Sequence, residues 1–118
     1  MANAALVIGW GPAVQGREQK ALQVFGEAIQ HYTRLQQRGE IESFEPVALE
    51  PHGGDLNGFL LVRGDREKLN RVRSSEEFVR LNNRAQLVVN NFGAIGAFIG
   101  ESLDRLFNDF QAQTSDLA

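Results

Sequence analysis

The chain has 118 residues, 42% hydrophobic and 23% charged, with a net charge of -3 and no Cys. A domain of that size buries about two-thirds of the surface its unfolded chain exposes, enough for one core, and neither disorder nor a fibrous repeat fits the composition. The missing Cys excludes disulfides, thiolate nucleophiles, iron–sulfur clusters and Cys-bound zinc, and a pI of about 5.3 argues against a nucleic-acid partner.

Ala4 to Trp10 is short, continuously apolar and partly β-branched, the pattern of a strand buried on both faces. Gly11 and Pro12 stop it. The following loop to Gly16 has the glycine spacing of a phosphate-binding loop. Arg17 and Glu18, however, stand where that motif needs Lys and a hydroxyl, so a plain strand-to-helix connection is expected. From Arg17 the period changes: Ala21, Leu22, Phe25, Ala28, Ile29 and Tyr32 share one face of a long helix ending near Arg38-Gly39. His31 is expected to lie off that face, in a solvated pair with Glu27.

Ile41 to Glu50 contains Pro46, which cannot donate to a sheet ladder, so it is predicted as an edge strand or a bulged one. Gly53-Gly54 in the following turn suits a hairpin, and Phe59 to Val62 is a second unbroken apolar strand. A short helix is predicted over Arg66 to Arg73, then another opened by Ser74 and Glu77 at capping-box spacing. Seven of the 12 cations fall between Arg63 and Arg84. Acidic neighbours offset them, so solvated faces with pairs such as Glu76–Arg80 are expected and no nucleic-acid patch. Leu87 to Ile99 is predicted as a third long apolar strand, interrupted by Asn90-Asn91, and a terminal helix over about 101–112 carries Leu103, Leu106, Phe107 and Phe110 on one face.

This order specifies an α+β fold: a ferredoxin-like βαββαβ unit with a four-stranded antiparallel sheet and a C-terminal helix. A single domain over 1–118 with its core in 4–99 is expected. Two crossovers cover one sheet face, yet the strands do not alternate apolar and polar residues. The other face would therefore be a large apolar patch, best covered by a second copy about a two-fold axis.

Element order, length and the segment Arg73-Ser74-Ser75-Glu76-Glu77-Phe78 make residues 4–99 resemble the dimeric α+β barrel superfamily. That group includes antibiotic-biosynthesis-monooxygenase-like and stress-responsive barrel proteins. The resemblance implies a fold more than an activity, because the group is functionally scattered. Its heme-degrading members use His, Asn and Trp in an order this chain does not match, and no cofactor is expected.

Candidate sites follow from polar residues set in apolar runs. Asn90 and Asn91 interrupt a strand, as a polar handle in an apolar pocket would, or as a bulge would. Trp10, Phe59, Asn90 and Phe92 are the expected lining of a cleft in the sheet interior. His52, in the hairpin loop, and Arg63 are the candidate catalytic groups, and no metal site is expected from two isolated His. Three functions remain open: small-molecule binding, a cofactor-independent monooxygenase or isomerase in the same cleft, and a structural module without a ligand. With no basic leader and no run of ~20 apolar residues for a membrane span, a cytoplasmic, non-membrane homodimer is expected.

Overall fold

In the computed structural model, residues 2–117 are described. Strand β1 spans Ala4–Trp10, helix α1 Glu18–Gln37, β2 Ser43–Ala48, β3 Gly58–Gly64, α2 Arg66–Ser74, α3 Glu76–Gln86, β4 Gly93–Phe98 and α4 Gly100–Thr114. A 3-10 turn, Ser115–Leu117, follows α4. The sheet order is β2-β3-β1-β4, and all three pairings are antiparallel. This is a ferredoxin-like α+β fold. Pro46 lies on the edge strand β2, opposite Leu60, where its missing N–H breaks no interior ladder.

The register sorts the strands into two faces. Leu6, Ile8, Leu60, Val62 and Phe44 point toward the helices, with Leu6 opposite Val62 and Ile8 opposite Leu60. Val24, Tyr32 and Leu35 of α1, Leu69 and Val72 of α2, and Phe78 and Leu81 of α3 close over them. Each such side chain fully withdrawn from water contributes on the order of 1.5–3 kcal/mol before entropy is counted. Arg84 of α3 ties this layer to α1 by a two-pronged pair: Nε donates to Glu27 Oε1 at 2.8 Å and Nη2 to Oε2 at 2.7 Å. The guanidinium holds the Glu27 carboxyl below the usual carboxylate range.

The helix stripe differs from the predicted one by a partial rotation. Val24, Tyr32 and Leu35 form the buried line of α1, whereas Leu22 and Phe25 are exposed at its margin. His31, expected in solvent beside Glu27, is 5% exposed. Its ring stands edge-on to Tyr32 with centroids 4.9 Å apart, and Glu27 turns to Arg84 instead. The cap of α3 also shifts by one residue. Ser75, not Ser74, accepts from the Phe78 N–H at 3.2 Å, while Ser74 Oγ donates back to Asn70 within α2. Glu76 and Arg80 form no ion pair among the described residues, where the pairs are Arg38–Glu40, Arg63–Glu45 and Arg84–Glu27.

The predicted strand Leu87–Ile99 is half its expected length. Asn91 adopts a left-handed φ of 56°, which ends extended geometry before Gly93. Residues 87–92 are instead a loop clamped to the loop after β1. Gly11 N–H donates to the Asn90 carbonyl at 2.7 Å, Asn90 N–H to Pro12 at 2.9 Å and Val14 N–H to Val88 at 2.8 Å. Gly11 is required there, because a Cβ would stand 2.7 Å from the Asn90 carbonyl oxygen and 2.8 Å from that of Asp55.

The helices α1, α2 and α3 all pack on one face of the sheet and leave the opposite face uncovered. Val7, Phe59, Leu61, Val47 and Ile95 project from it by the register, and Ile95 is 66% exposed. The helix α4 buries none of its residues.

Candidate functional site

A cavity of about 480 Å³ lies between the sheet and the helices, on the face opposite the bare one. Its floor is Ile8 and Leu60 of the central strands, its roof Ala21, Val24 and Ala28 of α1 with Leu81 and Ala85 of α3. The clamped loops supply Val88, Val89 and Phe92 as one wall. Trp10, the last residue of β1, forms the opposite wall and meets Phe25 edge to face, with ring centroids 5.5 Å apart and planes at 68°. Gly58 makes that position available, since a Cβ there would stand 2.6 Å from the indole. The cavity opens to solvent past Leu22 and Phe25, both exposed.

Few polar groups reach this space. Tyr32 lies at the inner end, Asn57 and Asn82 contribute amides, and Glu18 sits near the start of α1. Burial pushes the Tyr32 hydroxyl pKa up from an already alkaline value; the group is protonated at neutral pH and able to donate a hydrogen bond. The cavity thus combines aromatic walls with a small number of separated polar groups, the usual construction of a site for a small organic molecule.

Among the four residues expected to line a cleft, Trp10 and Phe92 line this cavity, whereas Phe59 and Asn90 do not. Phe59 pairs with Gly9 and Val47 and projects from the bare sheet face. Asn90 is exposed, and its Nδ2 donates to the Pro12 carbonyl at 3.3 Å. It fastens one loop to another and lies outside any strand. His52 also fastens a loop. Its Nδ1 accepts from the Gly54 N–H at 3.1 Å, which leaves Nε2 to donate to the Leu56 carbonyl at 2.8 Å. Arg63 stands on the bare face, 3.4 Å from Glu45. Neither His52 nor Arg63 lines the cavity. Tyr32, Phe25, Ala28, Asn57 and Asn82 were not singled out as site residues from sequence. Their signal is faint: Ala21 and Ala28, two turns apart on the apolar face of α1, are small enough to leave a void beneath the helix.

His31 is buried against Tyr32, and its Nε2 has no hydrogen-bond partner among the described residues. Burial lowers its pKa below 6.5, against the opposing pull of Glu77. Below pH 6.5 the unfolded chain takes up a proton that the folded ring resists, so stability falls as pH drops from 6.5 toward the folded pKa. Urea unfolding at pH 7.5 and pH 5.5 is expected to show a loss for the wild type of up to about 1.4 kcal/mol per pH unit. A His31→Leu variant removes that component, and an equal pH response in both proteins would show that His31 does not cause it.

No family model matches the chain, and no curated protein is significantly similar to it. Solved structures do match. A DABB family protein with a ferredoxin-like fold from Mesorhizobium loti superposes with a TM-score of 0.63 at 15% identity, over 83% of this chain and 98% of that one. A dimeric protein of unknown function from Bacteroides fragilis gives 0.58 at 12%, over 81% and 96%. The chain shares the ferredoxin-like fold of these structures. SnoaB, a cofactor-independent oxygenase from Streptomyces nogalater, shares the fold as well, with a TM-score of 0.54 at 12% identity over 84% and 95%. At these identities the likeness is one of fold, and activity must be argued from the cavity.

Among the described residues, no group of three His, Asp or Glu side chains could hold a metal ion, and no helix is long and apolar enough to cross a membrane.

Proposed function

We propose that this protein is a cytoplasmic homodimer, joined through its bare sheet face, that binds a small, largely apolar or aromatic organic molecule in the cavity between sheet and helices. The observation that carries the ligand proposal is the cavity itself: about 480 Å³ walled by Trp10, Phe25, Tyr32 and Phe92. That volume falls within the ~300–1,000 Å³ typical of small-molecule sites. Three neutral donors or acceptors (Tyr32, Asn57 and Asn82) would orient a ligand carrying one or two oxygens. The dimer is supported by the apolar side chains of the bare face and by the dimeric protein of like fold.

In this reading the ligand sits on the helix side of the sheet, where the cavity lies, whereas the sequence pointed to the sheet interior. Catalysis in the same cavity is the second reading, favoured by Tyr32 and Glu18, the ionisable side chains that line it. A hydroxyl held protonated can donate to an oxyanion developing on a bound substrate, and the carboxylate can accept a proton.

Native mass spectrometry of the purified protein tests both parts of the proposal. The expected result is a species of twice the chain mass that sheds a small organic molecule under mild activation. A monomer at micromolar concentration would contradict the dimer. A dimer that carries no adduct and takes up none of a panel of aromatic compounds would contradict ligand binding.

A further inference from the structure

The helix α4 is amphipathic, and most of its apolar side is exposed. Leu103, Leu106, Phe107 and Phe110 fall at i, i+3, i+4 and i+7 along it, one continuous stripe. Phe107 is 62% exposed and Phe110 63%. Its principal contact with the rest of the domain is the adjoining strand β4. The chain is correspondingly drawn out. Its radius of gyration is 16.3 Å and its longest extent 54 Å, against about 13–14 Å for the radius of a compact domain of this length.

We propose that α4 is an exchanged arm: its apolar stripe docks on a second copy of this chain, at the rim of the interface formed by the bare sheet faces. This rests on the dimer proposed above. Two observations select a second copy as the occupant. The first is continuity, because α4 leaves the end of β4, the edge strand whose Ile95 belongs to the bare face. The apolar residues of this edge strand and those of the helix it leads into are therefore close along the chain. The second is area. Four strands spaced about 4.8 Å apart and about 20 Å long present a flat footprint of roughly 400 Å². A stable dimer buries about 800 Å² per partner. A helix of 15 residues is about 22 Å long and about 10 Å across, so each arm, with the surface that receives it, supplies most of the difference.

The test compares wild type with Phe107→Asp/Phe110→Asp and with Ile95→Asp, by sedimentation and by hydrogen exchange of the α4 amides. All three positions are exposed, and far-UV circular dichroism verifies that each variant is folded. The helix double variant is expected to raise the dimer dissociation constant at least tenfold. The Ile95 variant is expected to monomerise the protein and abolish α4 protection with it. A double variant that dimerises as tightly as wild type overturns the arm and leaves the dimer standing. Protection of α4 that survives in the Ile95 monomer overturns it too, since the helix would then dock on its own chain. A monomeric wild type overturns the dimer and the arm together.

Discussion

Replacing Leu60 by Ala is expected to destabilise the protein by about 2–5 kcal/mol, a large share of the ~5–15 kcal/mol that holds a domain together. Leu60 is 2% exposed, lies on the central strand β3 opposite Ile8, and forms part of the cavity floor. Its loss removes the transfer free energy of three carbons and enlarges a void that its β-sheet neighbours cannot collapse into. Urea unfolding of Leu60→Ala against wild type reads this as a lower midpoint at unchanged slope. A cost below about 1 kcal/mol would mean that the helices settle into the space, and that the cavity walls are softer than their packing against β1 and β3 indicates.

The opposite change, Ala28→Phe, should weaken ligand binding on the order of a hundredfold while the fold survives. Ala28 faces the cavity from α1, half-buried, directly above the floor set by Leu60. A phenyl ring placed there enters space now empty, so overpacking costs at most about 1–3 kcal/mol. The ring occupies the part of the cavity between Trp10 and Tyr32. Any ligand that uses both walls loses on the order of a hundredfold in affinity, about 2.7 kcal/mol. Isothermal titration with an aromatic compound selected on wild type measures it. Undiminished binding by Ala28→Phe would place the ligand elsewhere on the molecule.

The architecture was legible because strands with apolar side chains on both faces leave a plain trace in composition. Ala4 to Trp10 and Phe59 to Val62 are apolar without alternation, and Pro46 marks β2 as an edge. What escaped is set by tertiary contacts. Asn90-Asn91 sits inside an apolar run that propensity reads as strand; Asn91 turns left-handed because the segment must fold back to meet the Gly11 loop, which no local pattern records. His31 looked solvated because Glu27 stands four residues before it. Arg84, 57 positions away in sequence, takes Glu27 instead. The cavity is harder still to foresee, since a void is defined by the small residues around it. Trp10 and Phe92 announce themselves by size. Ala21, Ala28 and Ala85 do not, yet they make the room.

Trp10 is the chain's only tryptophan and it walls the cavity, so its fluorescence reports occupancy directly. Titrating the protein with N-phenyl-1-naphthylamine, a neutral aromatic probe, should quench Trp10 by energy transfer along a saturable curve of one probe per chain. The same titration of Ala28→Phe should be flat over that range. A linear, unsaturable decrease identical in both proteins would contradict a ligand cavity between sheet and helices.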